Sequence, residues 1–263
     1  MTAMSDTLPL DGAAPAERPP VTTPAPATPL GEVDQLLRSR SSVLRRIEAG
    51  DDLAGLARSM ILTIAAAGGV FGAAVGSYRG GLQILYAAIK LPLVILLTAA
   101  VCAPALTAIN AALDRRADLR RDLALVLSAL ALGSLVLAAQ APLILLAGNW
   151  HAGYHGTTLL LVTCCAVGGI VGLTFLSSGV ASGGRGAFAA VAALLVVFLC
   201  VGSQMSWTLR PYLVRPRATS VPFLRPIDSS LLESVVESLD SARGIYHRDA
   251  APLPGSLDAE VKP

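Results

Sequence analysis

The sequence predicts an all-α polytopic membrane protein: a transmembrane helical bundle of about five spans, with a disordered N-terminal tail and amphipathic flanking helices. The first observation is compositional, since a chain of 263 residues that is 54% hydrophobic and only 14% charged, with a mean hydropathy of +0.63, lies outside the range of soluble domains. The second is that residues 59–77, 91–113, 123–147, 157–177 and 187–207 form long apolar runs without Asp, Glu, Lys, Arg or His. The third is their length. A helix rises about 1.5 Å per residue, so about 20 residues cover a hydrocarbon core of roughly 30 Å. Continuous runs of this kind suit helices, which satisfy their own backbone groups, rather than the alternating strands of about 10 residues found in barrels.

In chain order, residues 1–29 are rich in Ala, Pro and Thr and bury too little apolar surface to offset the entropy of ordering. They are expected to be disordered, and the late start of the first apolar run, at Ser59, argues against a cleavable signal peptide. The first span then serves as the insertion signal. Within residues 30–58, Val33, Leu36, Leu37, Val43, Leu44 and Ile47 recur near helical spacing between arginines, which predicts one amphipathic juxtamembrane helix.

The first span carries Gly68, Gly72 and Gly76 every four residues, beside a stripe of Ala65, Gly69 and Ala73. The fourth repeats the theme with Gly168 and Gly172. Small residues on one face let helix backbones approach closely, within one chain or between copies. Residues 81–89 are apolar but too short to cross, and are expected at the interface. Lys90-Leu91-Pro92 then opens the second span, with proline near the first turn and Lys90 as a snorkelling anchor. Pro104 and Pro142 should bend the second and third spans.

His151 and His155 stand four apart in the loop before the fourth span, where Gly148, Gly153 and Gly156 argue against a helix. No further ligand is near them in sequence, so no metal site is assigned. At the exit of the fifth span the run 202–212 places Trp207, Arg210 and Tyr212 where headgroups lie. These three, with Lys90, are the candidates for contact with a partner or a lipid headgroup. Four Xaa-Pro pairs then keep the chain extended, and Asp228 is an N-cap for a short amphipathic helix over residues 229–241. Lys and Arg are retained on the cytoplasmic side of spans, and nine of them flank one side (four before the first span, Arg115, Arg116, Arg120, Arg121 and Arg185) against six on the other. That predicts a cytoplasmic N-terminus and an extracytoplasmic C-terminal tail.

The net charge of +2 offers no field for nucleic acid. Cys102, Cys164, Cys165 and Cys200 all fall inside apolar runs and read as packing residues. No zinc-protease, phosphate-loop or nucleophile-elbow motif occurs, and the apolar runs hold no carboxylate for an intramembrane aspartyl site. No cofactor is implied. The polar residues in the spans, Thr98, Thr107, Asn110, Ser128, Ser134, Gln140, Thr163 and Gln204, read as interhelical hydrogen-bond partners, and the lack of ionisable groups argues against ion-coupled transport.

The expected function is therefore that of a non-enzymatic structural or partner-binding component, meeting the bilayer and either a second copy or another membrane protein. One rival is a transporter or channel subunit, which clustering of Thr98, Thr107, Asn110 and Gln140 around one cavity would favour. The other is a lipid-acting enzyme, which would need His151, His155, Arg210 and Arg79 to converge. The run 202–212, together with Lys90-Leu91-Pro92, Thr98, Pro104 and Asn110, resembles a group of bacterial multispan inner-membrane proteins of unknown function. The resemblance covers residues 59–212 and implies a bacterial plasma membrane.

Overall fold

Local sequence dictates where the helices of the N-terminal region begin and end. A computed structural model of the protein describes residues 28–149, 154–181 and 186–208. Helix α1 spans Pro29–Arg38, with proline at its first turn and the Thr28 hydroxyl accepting from the Gly31 amide at 3.2 Å. Helix α2 spans Arg40–Ala49 and ends on Gly50 at φ 84°, a left-handed cap that glycine adopts without strain. The single helix expected over residues 30–58 is thus interrupted twice, at Ser39 and at residues 50–52, and its last residues belong to the first span. The tail ahead of residue 28 lies outside the described residues.

Five helices follow: α3 (Leu53–Gly76), α4 (Leu82–Ala112), α5 (Leu119–Asn149), α6 (Tyr154–Ala181) and α7 (Ala187–Thr208). Each contains a stretch long and apolar enough to cross a membrane. The described residues are helical throughout these spans, and the protein is an all-α bundle. Central α3 and α5 pack along each other, with 61% and 67% of their apolar windows buried. The other three spans are peripheral. Helix α4 lies against α3 and α5, α6 against α5, and α7 mainly against α4, with only 11% of its window buried. Leu56, Met60, Ile64, Leu106, Leu132 and Leu176 fill the main core. In lipid this core is held by close packing rather than by escape from water.

Glycine sets how near the helices come. A Cβ on Gly76 would fall 2.5 Å from the Gln83 oxygen and 2.6 Å from Ile84 Cα, and one on Gly72 would lie 2.8 Å from the Ala87 carbonyl carbon. Neither position accepts a side chain without moving α4. The α5–α6 contact works the same way: a Cβ on Gly172 would sit 2.8 Å from the Ala129 oxygen, and one on Gly168 would sit 3.1 Å from the Gly133 oxygen. The glycine seams face inward, within one chain.

Helix α4 departs from expectation at its start. It begins at Leu82, directly after Gly80 and Gly81 turn the chain at φ 81° and 61°, so residues 82–89 extend the span instead of lying at the interface. Pro92 consequently sits in the helix interior rather than its first turn. It packs against α3, where a Cβ on Gly68 would stand 3.4 Å from the proline, at ordinary contact distance. Lys90 is carried inward too, and its side chain is 1% exposed, which corrects its reading as a snorkelling anchor. Helix α6 begins at Tyr154, so His155 and Gly156 are helical, contrary to the loop expected there.

Candidate functional site

The ends of α3–α7 that lie beside α2 gather most of the polar chemistry, and the α4–α5 turn organises it. Thr107 and Asn110 are three residues apart and so share a face of α4. The short turn at residues 113–118 returns the chain so that Asp122, in the first turn of α5, meets that face. Thr107 Oγ1 donates to Asp122 Oδ2 at 2.8 Å, and Asn110 Nδ2 donates to Oδ1 at 3.2 Å. Asn110 and Asp122 are 6% and 4% exposed, so the carboxylate is desolvated and held by side chains from α4.

Around this trio lies a cavity of about 90 Å³, lined among others by Asn110, Arg115, Arg116, Arg121 and Asp122, with Leu44, Ile47 and Glu48 of α2 along its side. Arg115 reaches across to α6 and donates through Nη2 to the Val180 carbonyl. Its Nη1 is shielded from solvent with no acceptor among the described residues, and Asn110 Oδ1 is likewise buried with no donor among them. Arg121 Nη2 stands 4.0 Å from Glu48 Oε1, a weak link between α5 and α2. The site thus holds three guanidinium groups against two carboxylates.

The lid over this end is itself pinned. Arg46 Nη1 meets Glu32 Oε2 at 2.7 Å, and its Nη2 meets Asp52 Oδ2 at 3.2 Å, joining α1, α2 and the start of α3. The Glu32 side chain is only 4% exposed, so this contact is little screened by solvent.

Other polar residues in the spans are turned onto backbone. Thr98, Ser128 and Ser134 donate to the carbonyls of Val94, Ala124 and Leu130, and Thr163 to that of Leu159. Gln140 donates to Val136 O at 3.1 Å and Cys164 O at 3.5 Å. The structure therefore unites Thr107 with Asn110 and leaves Thr98 and Gln140 elsewhere. It also corrects the expectation of spans free of ionisable groups, because the helices extend past the apolar runs and carry Lys90 and Asp122 inside. Asp122 was missed as a site residue for that reason. The available signal was the face shared by Thr107 and Asn110, followed by a short turn and an acid.

Among the other sequence candidates, Gly68, Gly72, Gly76, Gly168 and Gly172 line helix contacts. Trp207 lies in α7, but its side chain, with Arg210, Tyr212, His151 and the helix expected over residues 229–241, falls outside the described residues. Among the described residues no group of His, Cys, Asp and Glu is arranged to hold a metal. A second cavity, of about 260 Å³, opens between α6 and α7 and is walled mainly by aliphatic side chains such as Ile170, Leu173 and Leu194.

The bundle defines the class: the protein is an integral membrane protein with five helices able to span. No protein-family model, curated protein or solved structure matches the chain.

Proposed function

We propose that this protein is a non-enzymatic structural or partner-binding component of a bacterial inner membrane, with the end capped by α1 and α2 as its interaction face. One observation carries the reading: the hydroxyls of Thr98, Ser128 and Ser134 within the spans bond their own helix backbones, so their donors are used within single helices rather than on a solute. The capped end meanwhile leaves Arg38, Arg40, Arg45, Arg116 and Arg120 exposed beside the exposed Leu30 and Leu37, a surface suited to an acidic or amphiphilic partner.

The test has two parts. Protein reconstituted in vesicles should pass ions and small polar solutes no faster than empty vesicles do. A photo-cross-linking residue at Arg45 should give a discrete adduct in native membranes, whereas one at Val162, on the exposed side of α6, should not. A second reading, transport, draws on buried Lys90 and Asp122. Solute flux that is lost in Asp122→Asn would establish it and overturn the first.

A further inference from the structure

The cavity at the α2 end has a composition that packing alone does not require. Arg115, Arg116 and Arg121 contribute three positive charges, while Glu48 and Asp122 contribute two negative ones. Asp122 is already engaged by Thr107 and Asn110. Arg115 is fixed by its bond to Val180, which leaves Nη1 as a buried charged donor with no acceptor among the described residues. A guanidinium in that condition matches an oxyanion, since its fork geometry complements phosphate and charge-assisted bonds are the strong ones. The volume of about 90 Å³ is of the scale of one tetrahedral oxyanion with a small substituent.

Asn110 refines the ligand. Its Oδ1 is buried with no donor among the described residues, and a group that carries a hydrogen would satisfy it. A phosphodiester has none. A hydroxyl next to the phosphate supplies it, while Leu44, Ile47 and Leu125 give the cavity an apolar wall. We propose that this cavity binds a phosphate group bearing a neighbouring hydroxyl, the chemistry shared by a phosphoglycerol lipid headgroup and a soluble glycerol phosphate. The phosphate oxygens accept from Arg115 and Arg116, and the hydroxyl donates to Asn110. This goes beyond the reading above and does not depend on it.

The experiment uses the full chain in a neutral detergent. Native mass spectrometry measures retention of phosphatidylglycerol over phosphatidylcholine, and calorimetry measures binding of glycerol 3-phosphate. The expected result is selective binding of at least one probe, weakened about tenfold or more in Arg115→Gln, the range for losing a hydrogen bond to a charged group. Arg120→Gln, at an exposed position that does not line the cavity, should bind as the parent does. Should Arg115→Gln fail to fold, Arg116→Gln, exposed and on the cavity wall, must show a several-fold loss. Lipid retained and not displaced by glycerol 3-phosphate identifies a headgroup site; binding of the soluble probe identifies the other source. The proposal is overturned if neither probe binds, or if Arg120→Gln weakens binding as much as the cavity variants do.

Discussion

Two kinds of residue decide this bundle, and each acts through what it meets. Gly72 and Gly76 matter because carbonyls of α4 occupy the space a Cβ would take. Replacing Gly72 by Val should therefore lower stability by about 1–3 kcal/mol, the range for overpacking, whereas Gly169→Val should change it by less than about 0.5 kcal/mol. Gly169 has nothing within 4 Å of its would-be Cβ. Unfolding midpoints in mixed detergent micelles check both. Gly72 and Gly169 look alike in sequence, each lying within an apolar run. The fourfold spacing showed Gly68, Gly72 and Gly76 as a seam, yet Gly133, which faces Gly168, has no comparable periodicity around it. Asp122 is the opposite case: it lies one residue outside an apolar run, so hydropathy alone placed it at the boundary, and only the return of α5 against Thr107 and Asn110 makes it interior.

At the scale of elements, α1 and α2 form a cap rather than a continuation of the first span. Leu36, Val43 and Ile47 are buried against the bundle, and Arg46 clasps Glu32 and Asp52. Glu32→Gln should loosen α1 while leaving Arg46 its bonds to Asp52 and to the Asp51 carbonyl at 3.2 Å. The cost is about 1–3 kcal/mol, that of an impaired buried charged hydrogen bond. Hydrogen exchange provides the measure: α1 amides should exchange at least about tenfold faster, with α3 protection unchanged. The periodicity of residues 30–58 announced an amphipathic segment but not its breaks. Gly50 is a readable stop signal, while the interruption at Ser39 has no comparable residue to mark it. Likewise, residues 82–89 look too short to span because Lys90 ends the apolar run, although helix continues through it.

Among the described residues the number of helices able to span is odd, and five crossings have a consequence for the two tails. With five crossings, a cysteine at Ser5 and one at Ser256, each in a cysteine-free background, should lie on opposite sides of the membrane. An impermeant thiol reagent on intact cells should label one of them, and both only after permeabilisation. Labelling of both or neither in intact cells would mean that the number of crossings is even and so is not five. The basic end adds a second whole-molecule feature. Arginines before the first span and in the α4–α5 turn converge there, since α2 lies against α5 and Arg121 approaches Glu48.

What the sequence by itself determined is what local chemistry determines: helices rather than strands, five of them long and apolar enough to span, and a glycine seam in α3. Run length and residue type are sufficient, because a lipid-embedded backbone has to satisfy itself within each segment. What only the tertiary structure decided is which face of each helix is inside. In water, an apolar stripe would have marked the buried side; in lipid, both faces are apolar, so the stripe carries little information. The site follows the same logic. Asn110, Arg115 and Val180 come from the ends of α4, the α4–α5 turn and α6, with Arg115 and Val180 separated by 65 positions along the chain. Their meeting depends on how helix ends pack together, a property that no single segment holds.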